Sequence, residues 1–112
     1  MKEVKAYVRV FKVDDVIHAL EKIEAPRLTA IDVRALGHEV DEGDFHVSME
    51  YGTTYTTMVK VELICSDSEV SKIVETIRRV AYTGRKGDGV IAVSEIGRLV
   101  SIRTGKEGEE AL

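Results

Sequence analysis

The chain has 112 residues, 44% hydrophobic and 32% charged with both signs interspersed, and a net charge of -4. That is enough for one domain around a single core, with little to spare once a long loop is set aside. The acidic balance argues against nucleic acid as a partner, since phosphate neutralisation needs a basic face. No apolar run approaches the roughly 18 residues of a spanning helix, and the N-terminus alternates charged with apolar residues instead of carrying a signal-peptide core. Direct membrane insertion is not expected, and the expected compartment is the cytoplasm.

From Lys2 to Phe11, Val4, Ala6, Val8 and Val10 alternate with Lys5, Tyr7 and Arg9, which predicts a strand with one buried face. Asp14 or Asp15 then caps a helix carrying Val16, Ile17, Leu20 and Ile23, stopped by Pro26. His18 within it reads as a surface or partly buried histidine. Leu28 to Leu36 reads as a second strand, with Thr29, Ile31 and Val33 opposite Leu28, Ala30 and Asp32. Thr56 to Ile64 alternates again, Met58, Lys60 and Glu62 against Val59, Val61 and Leu63. Ser66-Asp67-Ser68-Glu69 has the pattern of a capping box and opens a helix with Val70, Ile73, Val74, Ile77, Val80 and Ala81 on its apolar side. Val90 to Val93 closes the series as a short strand. Cys65, the lone cysteine, ends an apolar run and reads as a small buried hydrophobe.

Strand, helix, strand, long loop, strand, helix, strand is the order of an α+β, ferredoxin-like double βαβ domain: an antiparallel sheet with two helices on one face. The other face, left with alternate apolar side chains, needs cover, and self-association is a common solution for a small domain.

The loop from Gly37 to Tyr55 lacks apolar periodicity and is far longer than the turn two antiparallel strands require, so it is functional or disordered. Its first half, His38 to His46, gathers four carboxylates and two imidazoles. It reads as a solvated acidic loop or, through His38, Asp41, Asp44 and His46, as a divalent-cation site, although the spacing fits neither an EF-hand nor a zinc pattern. Gly87-Asp88-Gly89, between a helix and a strand, fits an ordinary turn or a phosphate-binding loop whose glycines let backbone N–H groups approach an anion. No Ser/His/Asp or Cys/His set suggests an enzyme.

Thr83-Gly84, Gly87-Asp88-Gly89 and Ile102-Arg103-Thr104-Gly105, with Phe11-Lys12-Val13-Asp14-Asp15-Val16 near the start, give the whole chain a layout that resembles the PII nitrogen-regulatory family. The resemblance implies a non-enzymatic homotrimer that binds an adenine nucleotide (ADP, AMP or ATP, or a cyclic nucleotide) in clefts between subunits, with the part of Mg²⁺ left open. It also implies signalling to a membrane transporter or a metabolic enzyme through a T-loop at about 37–55. The glycine-rich B-loop falls at about 82–90 and a C-terminal loop at about 101–112. Carried over onto this sequence, Gly87, Asp88 and Gly89 cradle the phosphates and Arg103 of the adjacent chain closes over them. Thr29 and Glu62, with Ile64, line the adenine or ribose side, and Gly37 is the loop-base glycine. Tyr51 falls where some members are uridylylated, but its poorly matching context better suits an ordinary partner contact or an exposed aromatic.

The departures from that pattern all concern charge. Val90 and Ser101 stand where the resemblance implies a lysine and an arginine, and His38 where it implies an arginine; Lys86 and Arg85 compensate in part. Glu39 and Met58 replace the glutamine and lysine of the 2-oxoglutarate site, so no response to that dicarboxylate is expected. The competing expectation is a divergent sensor of another small ligand or a divalent metal that no longer binds nucleotide.

Overall fold

The computed structural model describes residues 1–37, 41, 43–50 and 52–112. Its elements run in chain order β1 (Lys2–Arg9), α1 (Val13–Lys22), β2 (Thr29–Ala35), β3 (His46–Ser48), β4 (Thr53–Cys65), α2 (Val70–Ala81) and β5 (Ile91–Glu95). The main sheet has the order β2-β4-β1-β5 with antiparallel pairing throughout, and β3 joins β4 as a hairpin. This is the expected α+β, ferredoxin-like arrangement.

The alternation read from the sequence explains the core. Val4, Ala6 and Val8 of β1 lie opposite Leu63, Val61 and Val59 of β4, and this set packs under Val16 and Leu20 of α1 and Ile73 and Ile77 of α2. Cys65 is fully buried in the same cluster, and burial pushes its thiol pKa up, so it is a packing residue and not a nucleophile.

Boundaries shift where local chemistry competes with periodicity. β1 ends at Arg9, and Val10–Lys12 turns as a 3-10 helix that leaves Val10 and Phe11 exposed. Asp14 and Asp15 do not cap α1: Lys12 is the N-cap residue, without a side-chain bond, and the two carboxylates sit in the first turn, where the helix dipole favours them. α1 ends before Pro26 because Glu24 takes a left-handed conformation (φ 58°) and Ala25 N–H bonds back to the Leu20 carbonyl at 3.0 Å. At the start of α2 the capping box is altered. The Ser66 hydroxyl meets the Glu69 carboxylate directly at 2.6 Å, and a 3-10 turn over Asp67–Glu69 leads into the helix.

The largest difference lies in the 37–55 loop, which holds β3 and the first residues of β4. The hairpin rests on a stack at Tyr55: the His46 ring lies 5.2 Å from it, and the Arg34 guanidinium sits 4.9 Å from the Tyr55 ring centroid. Residues this polar give no apolar alternation, so sequence periodicity is silent about the pairing.

The helix-free face of the sheet is also different from the expected apolar row. Tyr7, Ile31, Val33, Met58 and Ile64 share it with Glu3, Lys5, Lys60 and Glu62, which form pairs at 3.2 Å (Lys5–Glu3) and 3.0 Å (Lys60–Glu62). The strongly apolar alternate positions are already spent on the helix side.

Gly89 fixes the approach to β5. It has φ +93°, and a Cβ there would lie 1.8 Å from the Tyr7 carbonyl oxygen. Gly89→Ala is expected to cost more than about 2 kcal/mol, combining left-handed strain with a backbone clash. Gly97→Ala, with no atom within 4 Å of the added methyl, is the control and should stay close to the parent. Urea denaturation of the two variants checks this.

Candidate functional site

Arg9, the last residue of β1, has a side chain only 4% exposed. Its guanidinium is aimed at two segments remote in sequence. Nε donates to Asp88 Oδ1 at 2.9 Å, Nη2 donates to the Lys86 carbonyl at 3.0 Å, and Nη1 donates to Asp41 Oδ2. The planar fork thus joins the glycine loop after α2 to the base of the long loop, a geometry an ammonium does not supply.

Asp88 closes the glycine loop on itself. Besides the Arg9 bond it accepts from the Thr83 amide (2.8 Å), the Gly84 amide (2.9 Å) and the Thr83 hydroxyl. Burial would raise its pKa, but the Thr83 hydroxyl and amide, the Arg9 guanidinium and the Gly84 amide outweigh that and hold the carboxyl well below the usual range. The Asp88 side chain therefore clasps the loop, while Lys86 lies exposed at its crest. The loop's exit is anchored by Tyr7 N–H donating to the Val90 carbonyl at 2.9 Å.

Asp41 supplies the other half of the junction. Its amide donates to Thr56 Oγ1 at 2.7 Å, its Oδ1 accepts from the Gly43 amide at 2.9 Å, and Arg85 stands 3.9 Å from Oδ2. Arg9, then Gly43 and Arg85, hold its carboxyl below its ordinary range. Two of the candidate cation ligands have other partners. Asp41 is engaged by Arg9, His46 is stacked on Tyr55, and no cluster of three His, Cys, Asp or Glu side chains occurs among the described residues. His38, Glu39 and Tyr51 lie outside the described residues.

The remaining site residues fall into two places on the helix-free face. Met58 is fully buried and lines a cleft of about 170 Å³ with Tyr7, Val33, Ala35 and Val90 beside the glycine loop. Gly37, with φ +68°, leaves β2 near this end. Thr29 and Glu62 are direct cross-strand partners and, with Ile64, Glu3, Arg27 and Leu112, line a second cleft of about 210 Å³ at the far end of the same strands. Met58 and Glu62 are four positions apart on β4, roughly 13 Å at strand rise.

Arg103 is exposed on a turn built by Ser101. The Ser101 amide donates to the Lys106 carbonyl (2.9 Å), its carbonyl accepts from Gly105 (2.8 Å), and its hydroxyl accepts from Thr104 (3.3 Å). Ser101 is buried, Ile102 is fully exposed, and a bridge between Val100 and Glu107 closes the base. Sequence reading missed Arg9 and Asp41 as partners. The alternation of β1 marked Arg9 only as a polar position, and contacts over 79 and 32 residues leave no local trace.

The nitrogen regulatory protein P-II family matches residues 1–106. Over all 112 residues of both chains, the sequence is 34% identical to the nitrogen regulatory protein P-II of Pasteurella multocida (strain Pm70) and 35% to that of Klebsiella oxytoca. It is 33% identical, again over both full lengths, to the nitrogen regulatory protein GlnK of Escherichia coli (strain K12). The chain belongs to the nitrogen regulatory protein P-II family, whose members are regulatory signalling proteins and not enzymes. No helix among the described residues is long and apolar enough to cross a membrane.

The clasp makes a pH prediction. The Asp88 pKa is lower in the folded chain than in the unfolded one, so its stabilisation is fully present above the ordinary carboxyl range, near 4, and is lost as pH falls through the lower folded-state value. Asp88→Asn should lower stability by about 2–3 kcal/mol at neutral pH. The gap to the parent should close in acid below about pH 4, measured by urea denaturation across pH.

Proposed function

We propose that this chain is the subunit of a P-II-type homotrimeric signalling protein. It binds an adenine nucleotide (ADP, AMP or ATP) between subunits and regulates a membrane transporter or metabolic enzyme through the 37–55 loop, without a 2-oxoglutarate response. The observation that carries this reading is the separation of the two clefts. Each, at about 170 and 210 Å³, is smaller than the roughly 300 Å³ at which ligand pockets begin, and they lie at opposite ends of one open sheet face. A second copy supplying Thr29, Glu62, Ile64 and Arg103 to the Gly37, Lys86, Gly87, Asp88 and Gly89 side of the first completes a nucleotide-sized cleft. The fully exposed Ile102 beside Arg103, on a turn already rigid, suits such a docking.

The glycine loop suits an anion by shape, since Gly87 presents backbone without a side chain. Its cationic complement is reduced. Val90 contributes a carbonyl to β1 and Ser101 builds its own turn, so neither offers charge to a phosphate. The site thus favours shorter phosphate chains, and Mg²⁺ has no described carboxylate cluster to hold it apart from the nucleotide. At the 2-oxoglutarate position, Met58 is packed into the base of the loop and carries no charge to pair with a dicarboxylate.

At the loop's tip, Val47 and Met49 are 71% and 95% exposed, an apolar pair suited to docking on a protein partner. Tyr51, two residues on, remains a candidate for modification or contact.

Each charge-assisted bond missing from a phosphate removes on the order of 1.5–3 kcal/mol, or roughly ten- to a hundredfold in affinity. Calorimetry with ATP, ADP, AMP and cyclic AMP, with and without Mg²⁺ and 2-oxoglutarate, should therefore show ATP with less than a tenfold advantage over ADP and no contribution from 2-oxoglutarate. Arg103→Ala should weaken nucleotide binding about tenfold or more, and light scattering should give a trimer. A stable monomer, or ATP preferred tenfold or more, overturns the reading.

A further inference from the structure

An internal anion, the carboxylate of Asp41, stands against the glycine loop, bonded to Arg9 and the Gly43 amide and 3.9 Å from Arg85. Gly87 has φ +104°, and the place where its side chain would stand is 3.0 Å from Asp41 Cβ and 3.1 Å from Arg9 Nη2. Gly87 is therefore packed against the stem of Asp41, whose side chain is 7% exposed and bonded to Arg9. Around it stand the groups a phosphate would use: the Arg9 fork and the Arg85 guanidinium, 3.9 Å from Oδ2. With Asp41 and Asp88 in place, the charges of Arg9 and Arg85 are balanced by two carboxylates. On the Arg9 and Arg85 side an incoming phosphate meets balanced charge, and removing Asp41 leaves that side net positive.

We propose that Asp41 is an internal anion that competes with the phosphates of a bound nucleotide for the Arg9 and Arg85 side of the glycine loop, and that its expulsion releases the base of the 37–55 loop. Three bonds are made or lost together in this segment. Asp41 N–H donates to Thr56 Oγ1 at 2.7 Å, Asp44 N–H to the Asp41 carbonyl at 3.0 Å, and Gly43 N–H to Asp41 Oδ1 at 2.9 Å. Thr56 Oγ1 in turn donates to the Asp44 carbonyl at 3.1 Å. Losing the carboxylate from its seat thus frees the amides of Asp41, Gly43 and Asp44. A phosphate-bearing ligand then acts on the loop by exchanging one anion for another, and ligand affinity and loop release are two sides of one equilibrium.

The proposal rests on the nucleotide-binding reading above and is tested in the full-length assembled protein by titration with ADP, alongside hydrogen exchange of the amides of residues 41, 43 and 44. Asp41→Asn removes the competing charge, and Thr56→Ala loosens the segment while leaving the carboxylate in place. Asp41→Asn should bind ADP at least tenfold more tightly than the parent, and Thr56→Ala should fall between them. Amides 41, 43 and 44 should exchange faster in the parent when ADP is added, and already fast in Asp41→Asn without it. Circular dichroism confirms that each variant is folded, and if Asp41→Asn is not, Thr56→Ala decides by the same two readouts. ADP affinity unchanged or lowered in a folded variant, with the parent binding normally, overturns the internal-anion role and leaves the nucleotide reading standing. ADP bound by Asp41→Asn alone supports both. No binding by the parent or by any variant overturns the nucleotide reading and this inference with it.

Discussion

A single guanidinium, that of Arg9, holds together segments that the chain brings from three directions. It ends β1, it is buried, and its Nε, Nη1 and Nη2 reach Asp88, Asp41 and the Lys86 carbonyl. A buried cation is tolerable only when it is paired and its donors are satisfied, and here both conditions are met by the glycine loop and the base of the long loop. Those two loops have few apolar residues of their own with which to pack against the sheet. Their placement relative to β1, and hence the shape of the cleft beside Tyr7 and Met58, follows from this one side chain. Phe11, 5.9 Å from the Arg9 guanidinium, covers it from the turn that follows β1.

The glycine loop shows how shape and charge are separated in this molecule. Its backbone is fixed by Asp88, by the Gly89 contact with Tyr7 and by the Val90 carbonyl, none of which uses a cation presented to solvent. Met58 is absorbed into the packing and Ser101 into its own turn. The backbone contacts that set the outline of the loop are thus independent of the exposed side chains that set its charge.

The long loop combines two kinds of constraint. Its base is ionic and buried through Asp41, and its stem is a short hairpin stacked through His46, Tyr55 and Arg34. Its apolar tip, at Val47 and Met49, is left in solvent. The segment is thus anchored at one end by a buried charge pair and exposes apolar side chains at the other.

Most of the framework was legible in the sequence. Val4, Ala6 and Val8, and Val59, Val61 and Leu63, announce their strands by period-2 alternation, and Ile73 and Ile77 announce α2 by helical spacing, because burial on one face acts on neighbouring residues and leaves a periodic record. The family resemblance came from short glycine and threonine motifs for the same reason: turn geometry is local. What the sequence did not disclose depends on distance in the chain. The cross-strand pairs that set β3 are polar and stacked, the mixed character of the helix-free face depends on which alternate positions the helices claim, and Arg9, Asp41 and Asp88 are individually ordinary charged residues. Only the tertiary fold, by bringing residues 9, 41 and 88 within hydrogen-bond reach, decides that their charges are spent on one another. Pairing energy depends on separation in space, and sequence spacing does not encode it.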